Sequence, residues 1–254
     1  MIRQILNRLA GVAALLCTNT SIAGPPMVTD DTGTAAPGVL EIIAYAAGES
    51  RDSGDSVQGP ALDLAYGLNE ILEVSLTIPR QRVRNAGQSS IRGWGEASAG
   101  LKWRLLQGEN SALALAPSLS VPLSTSSTII GLVEDTTVFS LPVLASVTLG
   151  RWEFTGNLGY SIGSRNLDAV NLGLSTGYDL TQDIRLLAEL WGVDFVDDGA
   201  SKGFLNWRTG IEWSASKRFA LLAAYGGEVW SQLQAEHALN YDYYVGFQYR
   251  VSRD

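Results

Sequence analysis

The chain has 254 residues and a formal net charge of −8, with 17% charged and 46% hydrophobic residues. Charged residues are scarcer than the ~25% of an ordinary soluble domain, yet no apolar run reaches the ~20 residues that a membrane-spanning helix needs. The acidic balance also argues against a nucleic-acid partner, because such partners are bound through clustered Lys and Arg.

Residues 1–23 are predicted to be a signal peptide that is cleaved on export. Arg3 and Arg8 are basic, residues 9–17 form a short apolar run, and small residues lead up to a cleavage site after Ala23. One alternative is an amphipathic helix of the mature fold. Another, a lipoprotein signal, is disfavoured because a large leucine precedes the cysteine that ends the apolar run.

Cleavage would change the mature protein in two ways. It removes two arginines and no acid, so the net charge goes from −8 to −10. It also removes Cys17, the only cysteine. The exported protein then has no disulfide framework, and its stability must come from strand pairing.

Residues 24–38 are rich in Pro, Thr, Asp and Gly and are predicted to be an irregular periplasmic lead-in. A first strand follows at residues 39–49. Residues 59–79 then form a clear hairpin, in which apolar and polar residues alternate on both sides of a short polar turn. Alternation gives each arm one apolar and one polar face.

The same pattern recurs to the end of the chain and predicts twelve strands in all. Proline interrupts the fifth strand, and a bulge or break is expected near Pro117, because proline cannot donate to a ladder. The twelve predicted strands are residues 39–49, the two arms of 59–79, 93–105, 111–122, 137–149, 152–162, 169–178, 184–193, 204–213, 219–226 and 241–252.

Short turns and longer polar connections alternate along the chain. The longer ones include residues 50–58, the arginine-rich residues 79–92, and residues 123–136, 194–203 and 227–240. An even number of strands, short periplasmic turns and longer outer loops are typical of outer-membrane barrels. Residues 39–254 are therefore predicted to form one all-β, antiparallel transmembrane β-barrel.

An exported soluble β-sandwich is the alternative fold. It would not need so many wholly apolar strand faces. It would also not place aromatic residues at strand ends, where they fit the interfacial girdles of a barrel. The residues in question are Tyr66, Trp152, Tyr178, Trp213 and Phe219.

Three stretches of the chain resemble a known family. They are the leader at residues 29–42, the strand signature at residues 62–68, and the block at residues 93–104 that contains Gly93-Trp94-Gly95-Glu96. They resemble a family of transporter-like outer-membrane proteins described as "Putative MetA-pathway of phenol degradation". The resemblance implies a cell outer-membrane location in a Gram-negative organism, outer-membrane lipid as surroundings, and folding by the barrel-assembly machinery.

The chain departs from the usual pattern at its end, and the resemblance brings no catalytic residues. Outer-membrane barrels usually end on an aromatic residue that the assembly machinery reads. Here Tyr249 and Val251 are followed by Ser252-Arg253-Asp254. A solute that is aromatic or otherwise hydrophobic is implied by the family's description alone.

Charged residues on the polar strand faces are the candidate lumen lining. They can act as a channel wall that contacts a solute, or as a salt-bridged network that fills a narrow lumen, where unpaired charge is costly. Both interpretations remain open, and Glu41 joins the set if the first strand faces as drawn. The candidates are Asp63, Glu73, Glu96, Lys102, Arg104, Glu153, Arg185, Glu189, Arg208, Glu212 and Arg250.

The sequence contains no recognisable catalytic or cofactor motif. The single histidine, His237, has no serine two residues away, as an outer-membrane lipid hydrolase would require, and falls in a predicted loop. No Cys/His metal set and no phosphate loop occur. Loop acids could hold calcium weakly, but solvated charge is the simpler interpretation; they are Glu134, Asp135, Asp197 and Asp198.

The sequence thus predicts a non-enzymatic outer-membrane barrel without cofactor that acts as a passive channel for a small solute. The alternative function is a structural or partner-binding barrel with a closed lumen. The channel and the closed barrel differ in whether ions can pass through the polar lumen.

Overall fold

The computed structural model describes residues 26–164, 168–196, 202–232 and 238–252. The predicted signal peptide, His237, Asp197 and Asp198 lie outside these ranges. Strand segments account for most of the described chain. They are β1 (Leu40–Arg51), β2 (Gly54–Gly67), β3 (Leu72–Asn85), β4 (Ile91–Trp94), β5 (Glu96–Gln107), β6 (Ser111–Leu115), β7 (Ser118–Pro122), β8 (Val138–Leu149), β9 (Trp152–Gly163), β10 (Asp168–Asp179), β11 (Ile184–Val196), β12 (Lys202–Ser216), β13 (Phe219–Ser231) and β14 (Leu239–Val251).

These segments form one closed antiparallel barrel. Each strand pairs with its neighbours in sequence, and β1 pairs with β14 from Leu40↔Val251 to Arg51↔Leu239, which joins the first strand to the last. Segments β4 and β5 together form one strand of the wall, and so do β6 and β7. The barrel therefore has twelve strands, and the predicted fold class is confirmed.

The two interrupted strands have a simple cause. The break between β6 and β7 falls at Ala116-Pro117, where the missing proline N–H ends the ladder, as predicted. The carbonyl of Pro117 still accepts a hydrogen bond from the Leu101 N–H at 3.0 Å. The break between β4 and β5 falls at Gly95, whose N–H donates to the Pro79 carbonyl at 2.9 Å. This second break was not predicted from the sequence.

Apolar and polar faces alternate along each strand, as β9 illustrates. Trp152, Phe154 and Leu158 are exposed, whereas Thr155 and Ser161 are buried. The exposed apolar side chains thus form the outer surface, and the buried polar ones face the interior. Two of the predicted girdle residues, Trp152 and Tyr178, pack together on this outer surface, with ring centroids 4.6 Å apart.

Several connections are shorter than predicted because the strands extend beyond the apolar stretch. Residues 50–58 were predicted to be a loop, but β1 and β2 run through them and leave only residues 52–53 as a turn. Residues 79–92 were also predicted to be a loop, but most of them belong to β3 and β4. Polar strand ends continue the ladder without apolar alternation, so periodicity does not detect them.

The barrel has two different ends. One end, here called the turn end, has the connections 68–71, 108–110, 150–151, 180–183 and 217–218. The other, here called the loop end, includes the connections 86–90 and 123–137, the latter with a one-turn helix α1 (Thr125–Ile129). None of the helices in the described ranges is long and apolar enough to span a membrane.

A lysine at the middle of the outer surface should destabilise the barrel more than one at its edge. Leu158 is 57% exposed in mid-strand, and Leu149 is 59% exposed at the end of β8. Leu158→Lys is expected to lower the free energy of unfolding from lipid by about 2–4 kcal/mol and Leu149→Lys by about 0–1 kcal/mol. Urea titration in lipid vesicles measures both. Equal losses would contradict the assigned outer surface.

Candidate functional site: the barrel lumen

Residues 26–38, here called the lumen segment, run across the inside of the barrel. Pro26 is bound by β12, Val28 and Thr29 by β11, Asp30 by β5, and Ala35 by β3. Strands β5 and β12 stand on opposite sides of the barrel wall. A short segment can contact both only from the interior.

The first part of the lumen segment is held by a buried carboxylate. Both Glu189 oxygens accept the Val28 N–H, at 2.8 and 3.1 Å, and Oε2 also accepts the Thr29 N–H at 2.8 Å. Arg208 donates from Nη1 to the Pro26 carbonyl at 3.0 Å. The same guanidinium binds Asp242, with Nη2 and Oδ2 2.9 Å apart. One wall arginine therefore ties the segment to β14.

The middle of the segment meets basic side chains on the opposite wall. The Lys102 ammonium lies 2.8 Å from Asp30 Oδ1 and 3.9 Å from Asp31 Oδ1. Arg104 donates to the Thr32 carbonyl at 3.2 Å and to Thr34 Oγ1 at 2.7 Å. The ammonium and the Asp30 carboxylate thus compensate each other in a confined space, where isolated charge would be costly.

The end of the segment is fixed to β2 and β3. Glu73 Oε2 accepts the Ala35 N–H at 2.6 Å, and the Gly67 carbonyl accepts the Gly38 N–H at 2.8 Å. A Cβ at position 67 would come within 2.2 Å of the Ala36 carbonyl oxygen. Only glycine allows the segment to lie this close to β2 before the chain enters β1.

An apolar contact adds to these polar ones. Met27 is buried in a cluster with Ile43, Leu222 and Tyr244. The Tyr244 ring stacks on that of Tyr45, with centroids 5.0 Å apart. The inner wall is therefore mixed, with an aromatic and aliphatic region next to the charged one.

The remaining predicted lumen residues interact with other wall residues. Arg185 pairs with Glu153 and stands opposite Glu212 in the β11–β12 ladder. Arg250 binds Glu41 at 2.8 Å, which places Glu41 on the inner face as well.

The last two predicted carboxylates lie near neutral residues of the wall. Asp63 accepts a hydrogen bond from Thr77 at 3.2 Å, and Glu96 stands opposite Pro122 in the strand ladder.

All eleven predicted residues are buried or half-buried on the inner side. Five of them hold the lumen segment directly: Glu73, Lys102, Arg104, Glu189 and Arg208. That any of them contacts a solute stays a prediction.

The connection at residues 123–137 narrows the loop end of the lumen. Ser127 and Leu132 are buried there, and a Cβ at Gly93 would come within 2.8 Å of both side chains. Glycine at position 93 thus lets this loop fold against the inner face of β4. From the sequence alone, residues 123–136 are predicted only to be an outer loop.

Two groups of residues were missed from sequence. Asp242 and Gln248 face inward between exposed residues of β14, so the alternation of that strand could have revealed them. Asp30 and Asp31 belong to a stretch without periodicity, predicted to be a periplasmic lead-in. No pattern in it indicates that its backbone N–H groups meet carboxylates on distant strands.

Within the described ranges, no group of three or more His, Cys, Asp or Glu is placed to hold a metal ion. Glu134 and Asp135 lie in the loop that folds over β4. The absence of a cofactor and of catalysis stays a prediction.

A closed twelve-stranded barrel with an apolar exterior and a charged interior defines an outer-membrane β-barrel protein. The chain belongs to the family described as "Putative MetA-pathway of phenol degradation", which matches residues 23–239. Among curated proteins, none matches the chain in sequence.

Three solved structures with a similar fold are named as a channel or a porin. The COG4313 outer membrane channel from Pseudomonas putida F1 is 15% identical, with a TM-score of 0.72 over 87% of this chain and 98% of that one. The NanC porin is 9% identical, with a TM-score of 0.59 over 84% and 100%. The KdgM porin, in complex with disordered oligogalacturonate, is 9% identical, with a TM-score of 0.56 over 83% and 98%. At these identities the likeness concerns the fold alone.

Replacing Glu189 should loosen the first part of the lumen segment. In Glu189→Gln an amide NH₂ takes the place of one acceptor oxygen. Hydrogen exchange at the Val28 and Thr29 amides is expected to rise at least about tenfold, because charge-assisted hydrogen bonds contribute about 1.5–3 kcal/mol. Glu41→Gln, which alters a carboxylate paired within the wall, is the matched control. An equal rise in both variants would contradict the assigned contact.

Docking of the segment should also depend on pH through Asp31. Burial raises the pKa of this carboxyl from 3.8 to about 7, against the opposing charge of Lys102. The docked segment therefore keeps a proton that an undocked segment releases, so docking weakens as pH rises through this interval. Amide exchange over residues 28–35, corrected for its intrinsic pH dependence, measures the effect. Asp31→Asn should remove it, and an unchanged pH dependence would refute the assignment.

Proposed function

We propose that the protein is a narrow passive channel of the outer membrane whose width is set by the lumen segment. The observation that carries the proposal is that charged wall residues hold this segment across the barrel. A barrel of eight strands is filled by its own side chains, and one of 16–18 strands leaves an aqueous channel. Twelve strands lie between these cases, so the segment fills space that the wall side chains leave.

The proposed solute is small and carries an aromatic or other hydrophobic group. The family's description supports an aromatic compound. Inward-facing aromatic pairs also support it: Tyr45 with Tyr244, and Trp191 with Phe204, whose centroids are 5.3 Å apart. Among the described residues, Trp191 Nε1 and the Asn206 amide have no hydrogen-bond partner. A ring with a polar substituent could use both kinds of contact.

The proposal includes the route to the membrane. Residues 1–23 have the pattern of a cleaved signal peptide, so we infer export across the inner membrane of a Gram-negative cell. Assembly of the strands into the outer membrane by the barrel-assembly machinery then follows as for other barrels of this class.

A closed structural or partner-binding barrel is the second candidate function. The same observation favours it, because a segment held by Glu189, Lys102, Arg104 and Glu73 blocks much of the interior. The two candidates differ in one property. A channel must let the segment move or leave a path beside it, whereas a closed barrel keeps it fixed.

A disulfide between the segment and the wall should separate these candidates. A Cβ at Gly173 would lie 2.4 Å from both Thr29 Oγ1 and Asn157 Oδ1, so cysteines at positions 29 and 173 are close enough to pair once the Asn157 side chain shifts aside. If the segment moves during passage, Thr29→Cys/Gly173→Cys is expected to conduct less when oxidised than after reduction. Single-channel recording in a planar bilayer measures this, and heat-modifiability on gels checks folding.

Thr29→Cys alone is the control, and its conductance should not respond to the reductant. Folded wild-type protein that never conducts would overturn the channel proposal and favour the closed barrel. Conductance that is equal in the oxidised and reduced double variant would retain a channel but refute movement of the segment.

A further inference from the structure

Four arginines are concentrated at the loop end of the barrel. Arg80, Arg82 and Arg84 occupy alternate positions of β3, and Arg92 lies on β4. Alternate positions on a strand share one face. Together with Trp94 these four residues are here called the arginine patch. None of the lumen contacts of the described residues involves them.

The arginine patch faces outward. Gln81 stands opposite Gly93, and a Cβ at Gly93 would meet Ser127 and Leu132, which lie inside the barrel. Residues on either side of this pair therefore point away from the lumen. In the same ladder Arg82 stands opposite Arg92, and Arg80 opposite Trp94. Directly opposed residues share a face of the sheet.

The central pair of the patch consists of like charges. Arg82 and Arg92 are both exposed. Among the ion pairs of the described residues neither takes part, although the Asp55 carboxylate that pairs with Arg84 also interacts electrostatically with Arg82. Arg84 pairs with Asp55, and the Arg80 guanidinium lies over the Trp94 ring, 4.7 Å from its centroid. Like charges directly opposed destabilise a ladder. An anion between Arg82 and Arg92 would reverse this repulsion.

The patch lies at the edge of the apolar outer surface. Along the same face of β3, the residues before Arg80 are Val74, Leu76 and Ile78, with Val74 38% and Leu76 39% exposed. Trp94 is 44% exposed, as expected of an aromatic residue at the membrane–water interface. In outer-membrane barrels the longer connections lie on the outer side, so the arginines beyond Trp94 are at the level of the headgroups of the outer leaflet. A polar cleft of about 360 Å³ adjoins them, between Arg51 and Arg84.

We propose that the arginine patch binds the phosphate of a phosphorylated glycolipid in the outer leaflet, namely the lipid A part of lipopolysaccharide. The phosphate sits between Arg82 and Arg92, because guanidinium groups match phosphate oxygens in a bidentate manner. The acyl chains continue along the apolar residues of β3, and headgroup sugar enters the adjoining cleft. The chain as a whole has a net charge of −8 and therefore repels anions. Binding of an anionic lipid must then depend on the local positive charge of the arginine patch.

The first experiment compares lipid binding by wild type and by Arg82→Gln/Arg92→Gln. Refolded protein in neutral detergent is titrated with lipid A and with lipid A whose phosphates have been removed, and bound lipid is counted by native mass spectrometry. Affinity of the wild type for phosphorylated lipid A is expected to exceed that of the variant at least about tenfold. The two proteins should bind the dephosphorylated lipid equally, and raised salt should reduce the difference.

The matched control is Lys217→Gln/Arg218→Gln, which removes two positive charges from an exposed turn at the opposite end. It should bind lipid A as wild type does, and heat-modifiability confirms that every variant folds. Equal affinity of wild type for the phosphorylated and dephosphorylated lipids, or equal losses in the two double variants, would overturn the proposal. So would displacement of lipid A by inorganic phosphate at equal concentration, because the acyl chains would then contribute nothing. This inference is independent of whether a solute crosses the lumen.

Discussion

Closure of the strand ladder is the constraint on which the rest of this structure depends. In lipid every backbone N–H and C=O must be paired within the protein, and the β1–β14 ladder removes the two edges that an open sheet would expose. Closure then divides the side chains into two sets. One set contacts lipid and must be apolar, and the other faces a confined interior where polar groups need partners.

The interior meets that need partly with a piece of the chain that precedes the barrel. Wall carboxylates such as Glu189 accept backbone N–H groups, and wall bases such as Lys102 meet the aspartates of the lumen segment. Without the segment the charged wall residues would lack partners, and without the wall the aspartates of the segment would lack theirs, and a buried charge without partners is costly. The segment is thus part of the packed interior, although it forms no strand. Any passage through the barrel must go around it or displace it.

On the outer surface of the barrel, the arginines of β3 and β4 are not explained by packing of the interior. Strand β3 is apolar where it contacts lipid and basic where it leaves it, and Arg82 faces Arg92 across the ladder. Sequence showed four arginines in a stretch taken for a loop. On paired strands, their side chains share one face of the sheet and lie at a fixed level relative to the membrane. In a loop, neither the face nor the level would be fixed.

Periodicity by itself determined the fold class, the number of strands and the inward position of the charged candidates, because alternation depends only on neighbouring residues. It also located the break near Pro117, which follows from a missing N–H. Tertiary structure alone decided the place of residues 26–38, since Glu189 and Thr29 are 160 positions apart and nothing local links them. It also decided how far the polar strand ends extend and that residues 123–137 fold inward over Gly93. These outcomes depend on which distant groups need partners, and that is known only when the barrel is closed.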